Sequence, residues 1–146
     1  MQITRATDYA VRVLTHLAML PPATRRTAAE LAVENHASAA RVAKILQRLV
    51  AARLLVSRRG FDGGFELARA PRDVSVLDIV TAVEGPLCLN ACLDGGAGCH
   101  QAESCAARGV WSRAQSALAA ELAAATLDQL ATAPARPAGN SAETAA

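Results

Sequence analysis

Four cysteines lie within "CLNACLDGGAGCHQAESC", residues 88–105, and the chain has no others. Their spacing is Cys88-x3-Cys92-x6-Cys99-x5-Cys105. A structural zinc site usually draws its ligands from two CxxC-like knuckles, each a tight turn presenting two donors. No CxxC occurs here. Wider spacing, with glycines at 95, 96 and 98, describes a loop wrapped around something larger than one ion. Thiolates around a bulky guest favour an iron–sulfur cluster over zinc. A thiol switch without metal is a third chemistry open to the same residues.

The rest of the chain must position that loop. Its 146 residues suit one domain with an appendage. Apolar residues make up 52% and aromatic ones 3%, so the core must come from Leu, Val, Ile and Ala, a mixture that favours helix. No apolar run reaches the roughly 20 residues of a membrane span. The N-terminus "MQITRATDYAVRVL" carries charge early and lacks a cleavage-site pattern, so no signal peptide is expected. The expected compartment is the cytoplasm, where clustered thiols read as metal-binding or redox-active before they read as disulfides. Charge is uneven. Residues 1–72 hold 12 Lys+Arg against 5 Asp+Glu, a net of +7; residues 73–146 hold 3 against 8, a net of −5. Only the front half is suited to meet a polyanion.

The front half supplies a layout for doing so. Tyr9, Val13, Leu17 and Leu20 share one face of a helix expected over 4–19, which Pro21 and Pro22 terminate. "TAAE", 27–30, is a capping-box pattern opening a short helix through Val33. "ENHAS" is a turn, with Ser38 as cap of a helix over 38–52. That helix has an apolar stripe, Val42, Ile45, Leu46 and Leu49, and a basic one, Arg41, Lys44 and Arg48. Two helices joined by a tight turn, the second with a basic face, form a helix-turn-helix. "LLVSRRGFDGGFELAR" then reads as two short strands around a glycine turn, with Arg58 and Arg59 at its base. The fold class expected is mostly α with a small β-hairpin wing, a winged helix-turn-helix that binds double-stranded DNA. Candidate DNA-contacting residues are Thr27, Ser38, Ala39, Ala40, Arg41, Lys44, Arg48, Arg58 and Arg59. Ala39 and Ala40 offer only apolar contact, for instance to thymine methyls, and Arg41 a guanine or phosphate contact.

Ser75 and Asp78 form a second capping box, opening a helix whose Val76, Ile79, Val80 and Val83 face the core; Gly85-Pro86 ends it. Beyond the cysteine loop, Trp111, Ala114, Leu118 and Leu122 keep helical spacing within a helix expected over 105–131. At about 26 residues it would be about 39 Å long. So long and Ala-rich a helix is expected to pack on its copy in a homodimer, pairing two reading helices. The organisation expected is a DNA-binding domain over 1–85, a cluster-binding loop over 86–105, a dimerisation helix over 106–131 and a disordered tail over 132–146. His16, His36 and His100 lack an evident nucleophile or acid partner, so no enzyme is expected.

Taken together, "MQITRATDYAVRVLTHLA", "AARVAKILQRLVAARLLVSRRGFDGGFELAR" and the cysteine loop resemble the Rrf2 family of bacterial winged-helix regulators, with its IscR-, NsrR- and RirA-like members, over residues 1 to about 130. The resemblance implies a homodimer on a palindromic operator, with one iron–sulfur cluster per subunit. It maps the usual cysteine ligands onto Cys92, Cys99 and Cys105. Cys88 has no counterpart and is a spare thiol, an alternative ligand or a resolving cysteine. In IscR-like members the fourth ligand is a histidine three residues after the last cysteine; Arg108 stands there, and His100 is out of register. In NsrR-like members it is an aspartate near the start of the first helix, given by the partner subunit; Asp8 occupies the matching place. An acid there also favours a helix N-terminus by itself. The resemblance thus favours [4Fe-4S] over [2Fe-2S]. Arg53 replaces a glycine that in the family ends the reading helix in a left-handed conformation. The function expected is a transcriptional repressor responding to nitric oxide, redox or iron status. The alternatives are a cluster-free thiol-switch regulator and an iron–sulfur carrier or electron-transfer protein.

Overall fold

The computed structural model describes residues 3–94, 99–101 and 104–133. The first helix, α1 (Arg5–Met19), starts where the Thr4 hydroxyl accepts the Ala6 amide and stops before the Pro21-Pro22 pair. Its buried face carries Ala10, Val13, Leu14 and Leu17. The second, α2 (Ala28–Glu34), opens on the expected box: the Thr27 amide donates to the Glu30 carboxylate at 2.7 Å, and the Glu30 amide to the Thr27 hydroxyl at 3.2 Å. These bonds to the charged form hold the Glu30 carboxyl below the usual range. The helix closes through a left-handed residue, His36 (φ 50°), where the Ala37 amide reaches the Ala32 carbonyl at 2.9 Å and the His36 amide the Val33 carbonyl at 3.1 Å. Those paired bonds define a Schellman turn.

The same turn ends α3 (Ala39–Ala51). Arg53 (φ 57°) takes the left-handed corner, the Leu54 amide bonds the Leu49 carbonyl at 2.9 Å, and Leu49 and Leu54 are both buried. Arginine therefore makes the corner glycine would make, at a steric cost that the bonds and the Leu49–Leu54 burial offset. Ser38 is the residue before α3, but its side chain makes no cap hydrogen bond, unlike the cap expected of it.

Strands β1 (Leu55–Arg58) and β2 (Gly64–Leu67) pair antiparallel, Leu55 opposite Leu67 and Arg58 opposite Gly64. Arg26, just before α2, adds an isolated bridge to Phe65. A single 3-10 turn (Pro71–Asp73) leads to α4 (Val76–Glu84), opened by the Ser75–Asp78 box. Ile79, Val80 and Val83 are buried as expected, while Val76 is half-buried.

The C-terminal region departs from expectation. One helix over 105–131 is instead α5 (Arg108–Ala124) and α6 (Leu127–Thr132). Thr126 breaks the run with a capping box to Gln129. The chain there is stitched to the head: the Val76 amide donates to the Ala125 carbonyl at 2.9 Å and the Leu127 amide to the Val74 carbonyl at 3.0 Å. Leu127 is fully buried in the core and α6 packs along α1. Burying one leucine, worth roughly 1.5–3 kcal/mol, outweighs continuing an Ala-rich helix in water. At 17 residues, α5 is about 26 Å long, and none of its residues is buried. The tail expected to be disordered falls, from 134 onward, outside the described residues. Among the described residues no helix is long and apolar enough to cross a membrane.

Candidate nucleic-acid interface and cysteine loop

The N-terminal end of α3 is open to solvent. Ser38, Ala39, Ala40, Arg41 and Lys44 are all exposed, while Val42, Ile45, Leu46 and Leu49 anchor the opposite face in the core. The Ser38 hydroxyl makes no capping bond and has no side-chain hydrogen bond among the described residues. The Arg41 guanidinium lies 5.5 Å from the centre of the Tyr9 ring, and Arg12 approaches the same ring at 5.9 Å. A cation over an aromatic face is attracted by the ring quadrupole, so Tyr9 orients Arg41 while leaving it exposed. Arg48 is placed differently from its stripe-mates: its Nη1 donates to the Val83 carbonyl at 2.7 Å, at the C-terminal end of α4, where a cation complements the helix dipole. The Thr27 hydroxyl is committed to its capping box with Glu30.

The first strand of the wing packs on α3. The Glu66 carboxylate receives Arg25 Nε at 3.0 Å on one oxygen and Arg58 Nε at 3.2 Å on the other. The two arginines hold that carboxyl below the usual range. Arg59 is exposed and in no ion pair among the described residues. Sequence reasoning singled out Arg58 and Arg59, but not Arg25, which the Arg26–Phe65 bridge brings to the hairpin. The charge-rich "TRR" before the capping box was the available signal.

The cysteine loop follows α4. All four cysteines are free thiols; Cys92 is buried and Cys88, Cys99 and Cys105 are half-buried. Cys92 sits in a 3-10 turn (Ala91–Leu93). Cys88 Sγ donates to the Asn90 carbonyl at 3.1 Å, and the Leu89 amide donates to Gln115 Oε1 of α5 at 2.9 Å, fixing the start of the loop to that helix. Among the described residues no three His, Cys, Asp or Glu side chains gather as a metal-holding group within one chain. Gly95, Gly96 and Gly98 fall outside the described residues.

Asp8 is exposed in the first turn of α1 and pairs with Arg12 at 3.0 Å. His16 does have an acid neighbour, contrary to expectation: its Nε2 lies 3.0 Å from Glu34, whose other oxygen faces Arg26 at 3.3 Å. His36 makes the left-handed corner of the helix-turn-helix.

Two ties connect the loop's root to the head. Arg48 joins α3 to the last turn of α4, and the Glu84 carboxylate, at the last residue of α4, accepts the hydroxyls of Thr4 and Thr7 at the start of α1. Those two hydroxyls hold the Glu84 carboxyl below the usual range.

The sequence matches the family model described as "Rrf2: Iron-dependent Transcriptional regulator" over residues 3–133. The chain belongs to the Rrf2 family. The "Putative HTH-type transcriptional regulator rrf2-like" of Rhodobacter capsulatus is 33% identical over 120 residues, 75% of this chain and 79% of that protein. The structure of CymR, "the Global Cysteine Regulator of B. subtilis", superposes with a TM-score of 0.77 at 25% identity, covering 90% of this chain and 97% of that one. T. potens IscR superposes with a TM-score of 0.70 at 25% identity, covering 89% and 86%. Membership makes this Rrf2 protein a winged-helix, DNA-binding transcriptional regulator and not an enzyme.

Proposed function

We propose that this Rrf2 regulator is a repressor that acts as a homodimer on a palindromic operator, and that its cysteine loop sets operator affinity in response to nitric oxide, oxidants or iron supply. The observation that carries this reading is the position of the free thiols. They follow directly on α4, whose last turn is hydrogen-bonded to α3 through Arg48 and to α1 through Glu84. A change in the loop is thereby felt where DNA is read.

The donor chemistry fits an iron–sulfur cluster: soft thiols, none in a disulfide, in a loop partly shielded from water. Cys92, Cys99 and Cys105 would hold it, with Asp8 of the partner subunit as the fourth ligand and Cys88 as an alternative, and [4Fe-4S] is the type proposed over [2Fe-2S]. Bound there, the cluster would supply reactivity toward nitric oxide and oxygen species. The chain's own residues do the rest. Arg41 and Lys44 face the groove, Ser38, Ala39 and Ala40 lie closest to base edges, and Arg58 and Arg59 reach phosphate from the wing. Arg48 positions α3 against α4. The unburied α5, with Val110 and Trp111 exposed, is the surface offered to the second copy, and pairing would set the spacing of two reading heads.

The test compares operator binding by the wild type, Cys92→Ala and Cys105→Ala, all prepared without oxygen, before and after nitric oxide. Loss of iron together with loss of the nitric oxide response is expected in both variants. Unchanged iron content and unchanged operator affinity would refute the reading. A second reading is a cluster-free thiol switch. It is favoured by the half-buried Cys88 thiol outside the three-cysteine set and by the likeness to CymR, of which an oxidised form has been solved in Staphylococcus aureus. Peptide mapping after mild oxidation would reveal a Cys88 disulfide under this reading and none under the first.

A further inference from the structure

The chain has four aromatic side chains, two Phe, one Tyr and one Trp. Tyr9 and Phe65 pack against the core. Phe61 does the opposite: it is fully exposed, at 106% of its reference area, on the loop joining β1 and β2. A protein short of aromatic core residues thus spends one on solvent, at the very tip of its wing.

The loop is built to hold that tip in place. The Gly63 amide donates to the Gly60 carbonyl at 3.0 Å, and a Cβ on Gly63 would lie 2.7 Å from the Arg58 carbonyl, so only glycine fits. Gly60 takes a φ of 110°, which L side chains rarely adopt. Arg25 Nη1 donates to the Asp62 carbonyl at 3.2 Å. The Arg26–Phe65 bonds, at 3.1 and 2.9 Å, tie the base of the hairpin to the segment before α2. The hairpin and the segment bonded to it carry Arg25, Arg58 and Arg59 against Asp62 and Glu66, and Glu66 is already shared between Arg25 and Arg58. The surface is an apolar point in a net cationic setting.

Resting on the DNA-binding reading above, we propose that Phe61 is a minor-groove wedge that enters between two base pairs and partly unstacks them. Apolar side chains used this way kink the duplex, and the arginines beside it neutralise the phosphates that the kink draws in. Unstacking costs least at pyrimidine–purine steps, so the wedge would read sequence by deformability and not by hydrogen bonds. With its backbone already held by the Gly60–Gly63 and Arg25–Asp62 bonds, the loop spends little ordering entropy on insertion.

The test begins by selecting sites from a random duplex library with the full-length wild type and with Phe61→Ala. Phe61 touches no core residue, so the variant should keep the wild-type melting temperature. The wild type should enrich a pyrimidine–purine step at a fixed distance on each side of the dyad, and Phe61→Ala should lose that enrichment. On the wild-type site, Phe61→Ala should bind about tenfold more weakly, the scale of one lost base–aromatic contact. Its salt slope should be unchanged, because phosphate contacts remain. 2-Aminopurine placed at the step should brighten on binding of the wild type and not of the variant. Equal affinity and equal fluorescence for the two proteins would overturn the wedge and leave the regulator reading standing. Failure of the wild type to enrich any duplex would overturn both.

Discussion

The DNA-reading head and the cysteine loop are held in different ways. In the head, Thr4, Thr27 and Ser75 cap helices with their hydroxyls, His36 and Arg53 close helices in left-handed turns, and the core is filled by leucine, isoleucine and valine. From Pro86 to Ala107, Cys92 is the single buried side chain among the described residues, and the segment is tied to α5 by the Leu89–Gln115 bond and by packing of the Ala91–Leu93 turn. A region with few buried contacts sits at the low end of local stability. The difference assigns roles. The head is closed by its own caps and core; the loop carries four free thiols, the groups that the proposed function uses. Its root is nonetheless fastened to the head at Val83 and Glu84.

Cutting into each region should break the contrast unequally. Leu46→Ala, at a fully buried position of α3, should cost about 3 kcal/mol of stability, read by denaturant unfolding. Leu118→Ala on α5, whose residues are all at least partly exposed, should leave secondary structure intact and instead weaken self-association in sedimentation. A head-sized loss of helix content in Leu118→Ala would erase the distinction.

A smaller effect is expected at the joint. Arg48→Ala removes the bond to the Val83 carbonyl and should cost about 1 kcal/mol. If Arg48 is a joint and not a phosphate contact, the salt dependence of operator binding should keep its slope, whereas Lys44→Ala should flatten it by roughly one counterion per subunit. A flattened slope in Arg48→Ala would return that residue to the interface.

The other joint predicts an acid limb. The Glu84 carboxyl is lowered in the folded state by the Thr4 and Thr7 hydroxyls. A depressed folded value means that its contribution is fully present above the ordinary glutamate range and lost as pH falls through the lowered value. Glu84→Gln should therefore be less stable at neutral pH and lose less on acidification than the wild type, as followed by thermal melts across pH. Parallel pH profiles would deny the link. Smallest of all, Arg53→Gly should relieve the left-handed corner and stabilise the head by about 0.5–1 kcal/mol, raising the denaturation midpoint without altering operator choice.

Much of the head was legible because its punctuation is local. Capping pairs three residues apart, the Pro21-Pro22 stop, and glycines 60 and 63 each specify backbone within a few residues, and the structure has them where the sequence puts them. The end of α5 was not. Thr126 and Gln129 carry a capping signal, but the Ala-rich periodicity runs through it. What decides the break is the distant stitching to Val74 and Val76, together with the burial of Leu127 in the core. The Arg48–Val83 bond was hidden for the same reason. On a helical wheel the arginine belongs to the basic stripe, and only the packing of α4 against α3 offers it a carbonyl. Phe61 carried no signal, since exposure is a property of the fold and not of a phenylalanine. The cysteine loop was legible as a thiol cluster from spacing alone, and all four cysteines are free thiols in the fold.

The measurement that bears most directly on the central claim is an iron and sulfide count, with a visible spectrum, on the protein purified without oxygen. A brown protein holding about four iron and four sulfide per chain is expected, with both lost in Cys92→Ala. A colourless protein with zinc or no metal would contradict it, and the loop would then be a thiol switch on a DNA-binding head.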